Sequence, residues 1–269
     1  MDWMEARDTL LRELVSYPRL GVVTDMDGTI SPIAPKPWEA HVTPRNRELL
    51  AALHECISLV AVVSGRGVED LRTQVGLPEL TYVGNHGLER WEDEQVKVMP
   101  EAAAYRPALE AALREIEPLS VPGVWIEDKG ATASIHYRQA PDPAKVRAAL
   151  GTVIQQIAAR HGLAFFEGRM IFELRPPVEL HKGTAFRQLI EDYHLDAAVF
   201  LGDDTTDVDA MRVARALRAS GDAYTLAVGV DVPGTPESVR ETADVLVSGV
   251  SGVEAFLSWL LSACNASST

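Results

Sequence analysis

Short, continuous apolar runs alternate with segments of helical periodicity towards both ends of the chain. The first run, Leu20–Thr24, precedes a segment in which Leu49, Leu50 and Leu53 recur at helical spacing. The pattern predicts strands at 20–24, 58–63, 80–84, 197–201, 224–230 and 243–247, and helices at 45–56, 69–75, 183–193, 208–219 and 253–261. Apolar strands alternating with helices are typical of an α/β fold whose parallel sheet is covered on both faces.

The middle of the chain follows a different pattern. A helix with an alanine-rich stripe is predicted over 101–116, and a second long helix over 142–161. Each precedes two strands of alternating polarity: GVWIEDKG (123–130) and ATASIHYRQ (131–139), then LAFFEG (163–168) and RMIFELRPP (169–177). This order predicts an antiparallel α+β unit. We therefore expect an α+β domain of residues 101–177 inserted into an α/β core domain formed by residues 1–100 and 178–269.

Composition narrows the class of function. The 269 residues carry a net charge of −14, which argues against a surface for nucleic acid or anionic membrane but leaves room for a local anion site. Two cysteines, Cys56 and Cys264, are too few for a disulfide framework. We find neither a secretion signal at the amino terminus nor an apolar stretch of roughly 18 residues, as a membrane span needs. The sequence predicts a cytoplasmic protein.

Polar residues directly follow several predicted strands. These are Asp25, Asp27, Ser64, Asn85, Asp203 and Asp204. Because ligands of an open parallel sheet bind at the carboxyl ends of its strands, these side chains are expected to share one site. Carboxylates from separate strands are hard oxygen ligands suited to Mg²⁺, and a metal-bound carboxylate is a possible nucleophile. Ser64 and Lys182 are suited to holding a phosphoryl group.

Four strings, in chain order, resemble the motifs of the haloacid dehalogenase-like phosphatases. They are DMDGTI (25–30), SGR (64–66), the lysine of HKGTA (181–185) and GDDTTDVDAM (202–211). The resemblance implies a Rossmann-like core in which Asp25 attacks phosphorus and Asp27 acts first as acid and then as base. Thr29, Ser64 and Lys182 would position the phosphate. The implied Mg²⁺ ligands are the Asp25 side chain, the Asp27 main-chain carbonyl and Asp203, with Asp207 on the metal's water shell and Asp204 as a helper.

The position of the predicted insertion bears on the substrate. It lies between Ser64 and Lys182, whereas the segment from Asp27 to Ser64 holds one loop and one helix. In the phosphatases that the chain resembles, an insertion at this second position is a cap domain, and enzymes with such a cap usually act on small sugar phosphates. We therefore expect residues 101–177 to determine specificity and to exclude water.

Longer strings closely resemble the trehalose-6-phosphate phosphatases. They are YVGNHGLE (82–89), EDKGATASIHYR (127–138), FELRPP (172–177) and TPESVRETAD (235–244). The resemblance implies hydrolysis of trehalose 6-phosphate. Met26 departs from it, because that family commonly has tyrosine there.

The expected substrate contacts come from both predicted domains. They are Gly65, Arg66, Asn85, His86, Glu127, Lys129, His136 and Glu173. Glu127 and Lys129 lie two residues apart and would share one face of a strand. Glu173 projects opposite its apolar neighbours. Acidic and basic groups on one face suit the hydroxyl groups of a disaccharide.

Three other functions remain open. The chain could hydrolyse another sugar phosphate, such as a sucrose or glucosylglycerol ester, or act as a sugar phosphomutase. It could also be an inactive domain that regulates a trehalose-6-phosphate synthase. A non-catalytic domain has no physical need for Asp27 or Lys182, which argues against the last alternative.

Overall fold

The computed structural model describes residues 1–34, 36–119, 121–168 and 170–267. Its helices are α1 Trp3–Ala6, α2 Leu10–Leu14, α3 Pro44–His54, α4 Val68–Val75, α5 Pro100–Ala103, α6 Arg106–Ile116, α7 Pro143–Arg160, α8 Lys182–Asp192, α9 Val208–Ser220, α10 Glu237–Thr242 and α11 Gly249–Ser267. Its strands are β1 Leu20–Thr24, β2 Leu59–Val63, β3 Thr81–Gly84, β4 Glu89–Glu92, β5 Gln95–Val98, β6 Trp125–Asp128, β7 Ala133–His136, β8 Ala164–Gly168, β9 Ile171–Arg175, β10 Ala197–Gly202, β11 Tyr224–Asp231 and β12 Val245–Ser248.

The larger sheet has eight strands in the order β12-β11-β10-β1-β2-β3-β4-β5. The strands from β12 to β3 run parallel, and β4 is antiparallel to β3. Thr24, the last residue of β1, lies opposite Leu201 of β10 and Val62 of β2. The carboxyl ends of β1, β2, β3 and β10 therefore meet along one side of the sheet, which we call the carboxyl edge. The predicted α/β class with a parallel-rich sheet is confirmed.

The apolar runs form the central strands because both faces of this sheet are covered. β1, β2 and β10 are buried along their whole length. On one face, α8 and α9 contribute Phe186, Leu189 and Met211 to a core that includes Phe200 of β10. This packing explains why the central strands show no polar alternation.

One local prediction was wrong, and one hairpin was missed. The single helix expected over 101–116 is divided into α5 and α6, because Pro107 lacks an amide hydrogen and is accommodated in the first turn of a new helix. The hairpin of β4 and β5 was not predicted. Its turn residues, Asp93 and Glu94, have φ values of 50° and 62°, a conformation normally signalled by Asn-Gly or Asp-Gly.

The chain divides into two compact units. The first unit comprises Met1–Gln95 and Leu180–Thr269, and the second unit comprises Val96–Glu179. The predicted insertion, residues 101–177, falls within the second unit, and its assignment as a cap domain stays a prediction. Among the described residues, no helix combines the length and apolar character that crossing a membrane requires.

The sheet of the second unit is antiparallel, in the order β6-β7-β9-β8. Ile135 and Phe172 are among the strand residues that pack against α6 and α7 in an apolar core. Side chains alternate across a strand, so the intervening residues lie on the other side of the sheet. We call that side the polar face; it carries Trp125, Glu127, Ser134, His136, Phe166, Glu173 and Arg175.

Candidate active site

Lys182 lies at the centre of a buried charge cluster at the carboxyl edge. Its Nζ donates hydrogen bonds to Oδ1 of Asp25 and Oδ1 of Asp207, each at 2.7 Å. The main-chain amide of Asp25 donates to the carbonyl of Leu201 at 2.8 Å, which fixes Asp25 between β1 and β10. Lys182 is the first residue of α8, and a capping box formed by His181 fixes the start of that helix. The ammonium group is therefore held rigidly between the two carboxylates.

Three carboxylates converge beside this lysine. Oxygen atoms of Asp25, Asp203 and Asp207 lie within 4.8 Å of one another. Burial raises the pKa of Asp25 well above its ordinary value; Lys182 opposes the shift, and Asp207 and Asp203 add to it. Burial, together with the charge of Asp207, raises the pKa of Asp203 to about 7. Burial alone would lower the pKa of Lys182, but Asp207 and Asp25 together raise it.

The carboxylates of Asp25, Asp203 and Asp207 are suited to binding a hard divalent cation. Three buried carboxylates face one ammonium group, so an added positive charge would favour their ionised forms. Asp207 already accepts from Lys182 with Oδ1 and from the amides of Asp203 and Asp204 with Oδ2, at 3.1 and 3.0 Å. Asp25 and Asp203 are therefore the side chains best placed to bind a metal directly.

Asp204 lies apart from the other acids. It is exposed, and its Oδ1 accepts from the amide of Thr205 at 2.6 Å, which caps the short 3₁₀ helix Thr205–Asp207. The structure therefore does not bring the Asp204 side chain into the carboxylate cluster, although the sequence analysis named it as a metal helper.

A tight turn follows β1 and brings Thr29 to Asp203. The Thr29 hydroxyl donates to Oδ1 of Asp203 at 3.3 Å. Gly28 has a φ of 87°, and a Cβ atom there would lie 2.1 Å from Oδ2 of Asp203. Both the backbone conformation and the space require glycine at this position. The Asp-Gly-Thr turn is thus shaped to pack directly against the acid that follows β10.

Asp27 is held by a bidentate ion pair with Arg66. Nε of Arg66 donates to Oδ2 of Asp27 at 2.6 Å, and Nη2 donates to Oδ1 at 2.9 Å. Nη1 of the same arginine donates to Asp70 at 2.7 Å. Burial on its own would lower the pKa of Arg66, but Asp27 and Asp70 raise it. The predicted acid and base is therefore linked to a predicted substrate contact.

The loops after β2 and β3 hold each other in place. The amide of Asn85 donates to the carbonyl of Arg66 at 2.7 Å, and the amide of His86 donates to the carbonyl of Ser64 at 2.9 Å. Asn85 and His86 have φ values of 46° and 60°, which are uncommon outside glycine. A Cβ atom on Gly65 would lie 2.5 Å from Nε2 of His86. The structure thus brings together all five residues that were predicted on these loops.

The remaining predicted residues gather on the polar face of the second unit. Oε2 of Glu127 lies 2.7 Å from Nε2 of His136. The His136 ring stacks on Trp125, with centroids 4.5 Å apart and planes inclined by 4°. Nζ of Lys129 lies 3.8 Å from Oε1 of Glu173. The polar face therefore presents two carboxylates, each next to a group able to carry positive charge.

Sequence reasoning did not single out several residues that support these sites. Asp70 lies four residues after Arg66, a helical spacing that could have identified the pair. Glu89 is buried and accepts from the amide of Val68 at 3.1 Å, which caps α4. Arg175 donates to Oε2 of Glu173 at 3.0 Å. The contact of Glu89 depends on tertiary structure, and the sequence gives no local signal for it.

Comparison with known proteins shows the family to which this chain belongs. The model of the trehalose-phosphatase family matches residues 23–245. The chain is 35% identical over 207 residues to a trehalose-phosphate phosphatase of Mycobacterium marinum, covering 73% of this chain and 52% of that protein. It is 36% identical over 202 residues to the protein of the same name from Mycobacterium tuberculosis strain H37Rv, covering 71% and 50%. The chain spans about half the length of these curated relatives.

Solved structures show the same fold at lower identity. The C-terminal domain of Candida albicans trehalose-6-phosphate phosphatase superposes with a TM-score of 0.77 at 20% identity, covering 95% of this chain and 97% of that domain. A trehalose-6-phosphate phosphatase related protein gives a TM-score of 0.73 at 23% identity, covering 90% and 97%. These likenesses establish the fold, and the family match extends across most of the sequence. The chain therefore belongs to the trehalose-phosphatase family.

Proposed function

We propose that this chain hydrolyses trehalose 6-phosphate to trehalose and phosphate in a Mg²⁺-dependent reaction. The observation that carries the proposal is the buried cluster of Lys182, Asp25 and Asp207 in a chain of the trehalose-phosphatase family. The curated relatives carry the name trehalose-phosphate phosphatase, which supports the same substrate. A cytoplasmic location and a role in making trehalose belong to this proposal, and a synthase partner remains a prediction.

Asp25 is the proposed nucleophile. A carboxylate oxygen of Asp25 forms a bond to phosphorus, and the bond between phosphorus and the sugar oxygen breaks. The hydrogen bond from Lys182, at 2.7 Å, favours the ionised form of Asp25 and fixes its orientation. Mg²⁺, bound by the side chains of Asp25 and Asp203, would supply positive charge for the phosphoryl oxygens.

Asp27 is the proposed acid and base. It gives its proton to the leaving sugar oxygen, and it later accepts a proton from the water that attacks the aspartyl-phosphate. That attack breaks the bond to Asp25 and restores its carboxylate. Both oxygens of Asp27 accept from Arg66 in this structure. Because a protonated carboxyl group loses most of its attraction to a guanidinium group, protonation of Asp27 and loosening of Arg66 are expected to occur together.

The polar face is the proposed sugar-recognition surface. Glu127 and Glu173 offer acceptors, while Lys129 and Arg175 offer donors. Such a set of charged groups forms hydrogen bonds with the hydroxyl groups of a sugar in both directions. A purely apolar face would not distinguish one sugar phosphate from another in this way.

Replacing Glu173 with alanine is expected to reduce selectivity for the disaccharide. The loss of one charged acceptor should lower kcat/KM for trehalose 6-phosphate about 10- to 100-fold relative to a small aryl phosphate. Steady-state phosphate release from both esters, measured side by side for wild type and Glu173→Ala, gives this ratio.

Glu167→Ala is the matched control. Glu167 lies on the neighbouring strand β8 and pairs with Arg147 of α7, on the opposite side of the sheet from the polar face. This variant should keep the wild-type ratio of the two activities. Equal losses on both esters for Glu173→Ala would instead indicate that Glu173 has a structural role.

A further inference from the structure

Ser134 occupies the middle of the polar face. It lies on β7 with Glu127 of β6 opposite it on one side and Glu173 of β9 opposite it on the other. Its side chain is fully buried. Among the described residues, its hydroxyl oxygen has no hydrogen-bond partner.

A buried hydroxyl group without a partner is unfavourable. Leaving such a group unpaired costs folding free energy, and most buried side-chain polar atoms in folded proteins are paired. The site could have accommodated alanine without this cost. The hydroxyl group of Ser134 therefore does not contribute to the stability of the fold, and its presence calls for another role.

The groups on either side of Ser134 are held in defined orientations. Glu127 is fixed by His136, whose ring stacks on Trp125. On the other side, Arg175 and Lys129 contact Glu173. Ser134 thus lies between two carboxylates whose neighbouring groups, His136 beside Glu127 and Arg175 and Lys129 beside Glu173, are already in place. A hydroxyl group is both donor and acceptor, and it complements the hydroxyl groups of a polyol.

We propose that Ser134 is a specificity-determining residue whose Oγ hydrogen-bonds a hydroxyl group of the sugar bound at the polar face. The inference deepens the proposed function and rests on it for the identity of the sugar. With Ser134 included, the proposed sugar contacts form a continuous row across β6, β7 and β9, from Glu127 through Ser134 to Glu173. The ligand class is a neutral, polyhydroxylated sugar moiety.

The variant Ser134→Ala separates this role from a structural one. Loss of one neutral hydrogen bond should lower the ratio of kcat/KM for trehalose 6-phosphate to kcat/KM for an aryl phosphate about 3- to 10-fold. The melting temperature should stay the same or rise, because the variant no longer buries an unpaired hydroxyl. A ratio that stays at the wild-type value would overturn the proposal, as would equal losses on both esters.

Ile135→Val is the matched control. It also removes one heavy atom from β7, but from the side that packs in the apolar core. This variant should lower the melting temperature and keep the wild-type ratio. If Ile135→Val lowers the ratio as much as Ser134→Ala does, the effect comes from a disturbed strand and the proposal is wrong.

Titration calorimetry with trehalose provides a measurement that does not depend on turnover. Wild type should bind trehalose about 3- to 10-fold more tightly than Ser134→Ala, and equal affinities would count against Ser134. Failure of the proposed function is recognised separately. If wild-type protein prefers another sugar phosphate, the substrate assignment fails, and the same variant is then tested with the preferred ester and its free sugar.

Discussion

Replacing Asp25 with asparagine is expected to abolish phosphate release, with kcat falling at least about 10⁴-fold. An amide is neither a nucleophile towards phosphorus nor a good ligand for Mg²⁺. The variant should remain folded, because asparagine has nearly the shape of aspartate and Lys182 keeps its hydrogen bond to Asp207. Phosphate release from trehalose 6-phosphate measures the loss, and circular dichroism verifies the fold.

Asp196→Asn is a matched control for this experiment. Asp196 immediately precedes β10, at the end of the strand opposite to Asp203, and it pairs with Arg19. The same chemical change there should leave kcat within about twofold of wild type, because Asp196 lies at the end of β10 away from the carboxylate cluster. Near-normal turnover by Asp25→Asn would refute the assignment of the nucleophile.

Replacing Lys182 with methionine should impair both catalysis and folding. The lysine is the group that separates the buried carboxylates of Asp25 and Asp207. Removing one member of a buried ion network typically costs about 3–5 kcal/mol in the free energy of unfolding. Loss of a positive charge next to the nucleophile should also lower kcat about 10²- to 10³-fold. Urea unfolding of the metal-free protein at pH 7.5 measures the first effect, and phosphate release measures the second.

Lys36→Met controls for the removal of a lysine as such. Lys36 pairs with Glu39 at the surface, and both side chains are more than a third exposed. Its replacement should change the free energy of unfolding by less than about 1 kcal/mol. An equally small change in stability for Lys182→Met would contradict the role of Lys182 in holding the acidic cluster together.

The core sheet could be predicted from the sequence, because strands buried on both faces are continuous apolar runs. β1 and β10 are continuous apolar runs, and each is followed at once by an acid, Asp25 or Asp203. The short hairpin of β4 and β5 could not be predicted in this way, because Asp93 and Glu94 form its turn without the glycine or asparagine that usually signals one.

The residues of the site could be predicted from the sequence, but the hydrogen bonds between them could not. The resemblance to the phosphatase motifs implied that Asp25, Lys182 and Asp207 share one site, yet the bidentate bond between Arg66 and Asp27 depends on how two loops meet. Asp204 was expected to assist in binding the metal, but its side chain caps the short 3₁₀ helix Thr205–Asp207 instead. Ser134 could not be distinguished from an ordinary strand serine until its burial and its neighbours were known.

The most direct test of the central claim is phosphate release from a panel of esters, each measured with Mg²⁺ and with EDTA. The panel comprises trehalose 6-phosphate, sucrose 6-phosphate, glucose 6-phosphate and an aryl phosphate. We predict release that requires Mg²⁺ and strongly favours trehalose 6-phosphate. Metal-dependent release that favours another ester would contradict the substrate assignment. Absence of release from every ester would contradict the proposed enzymatic function itself.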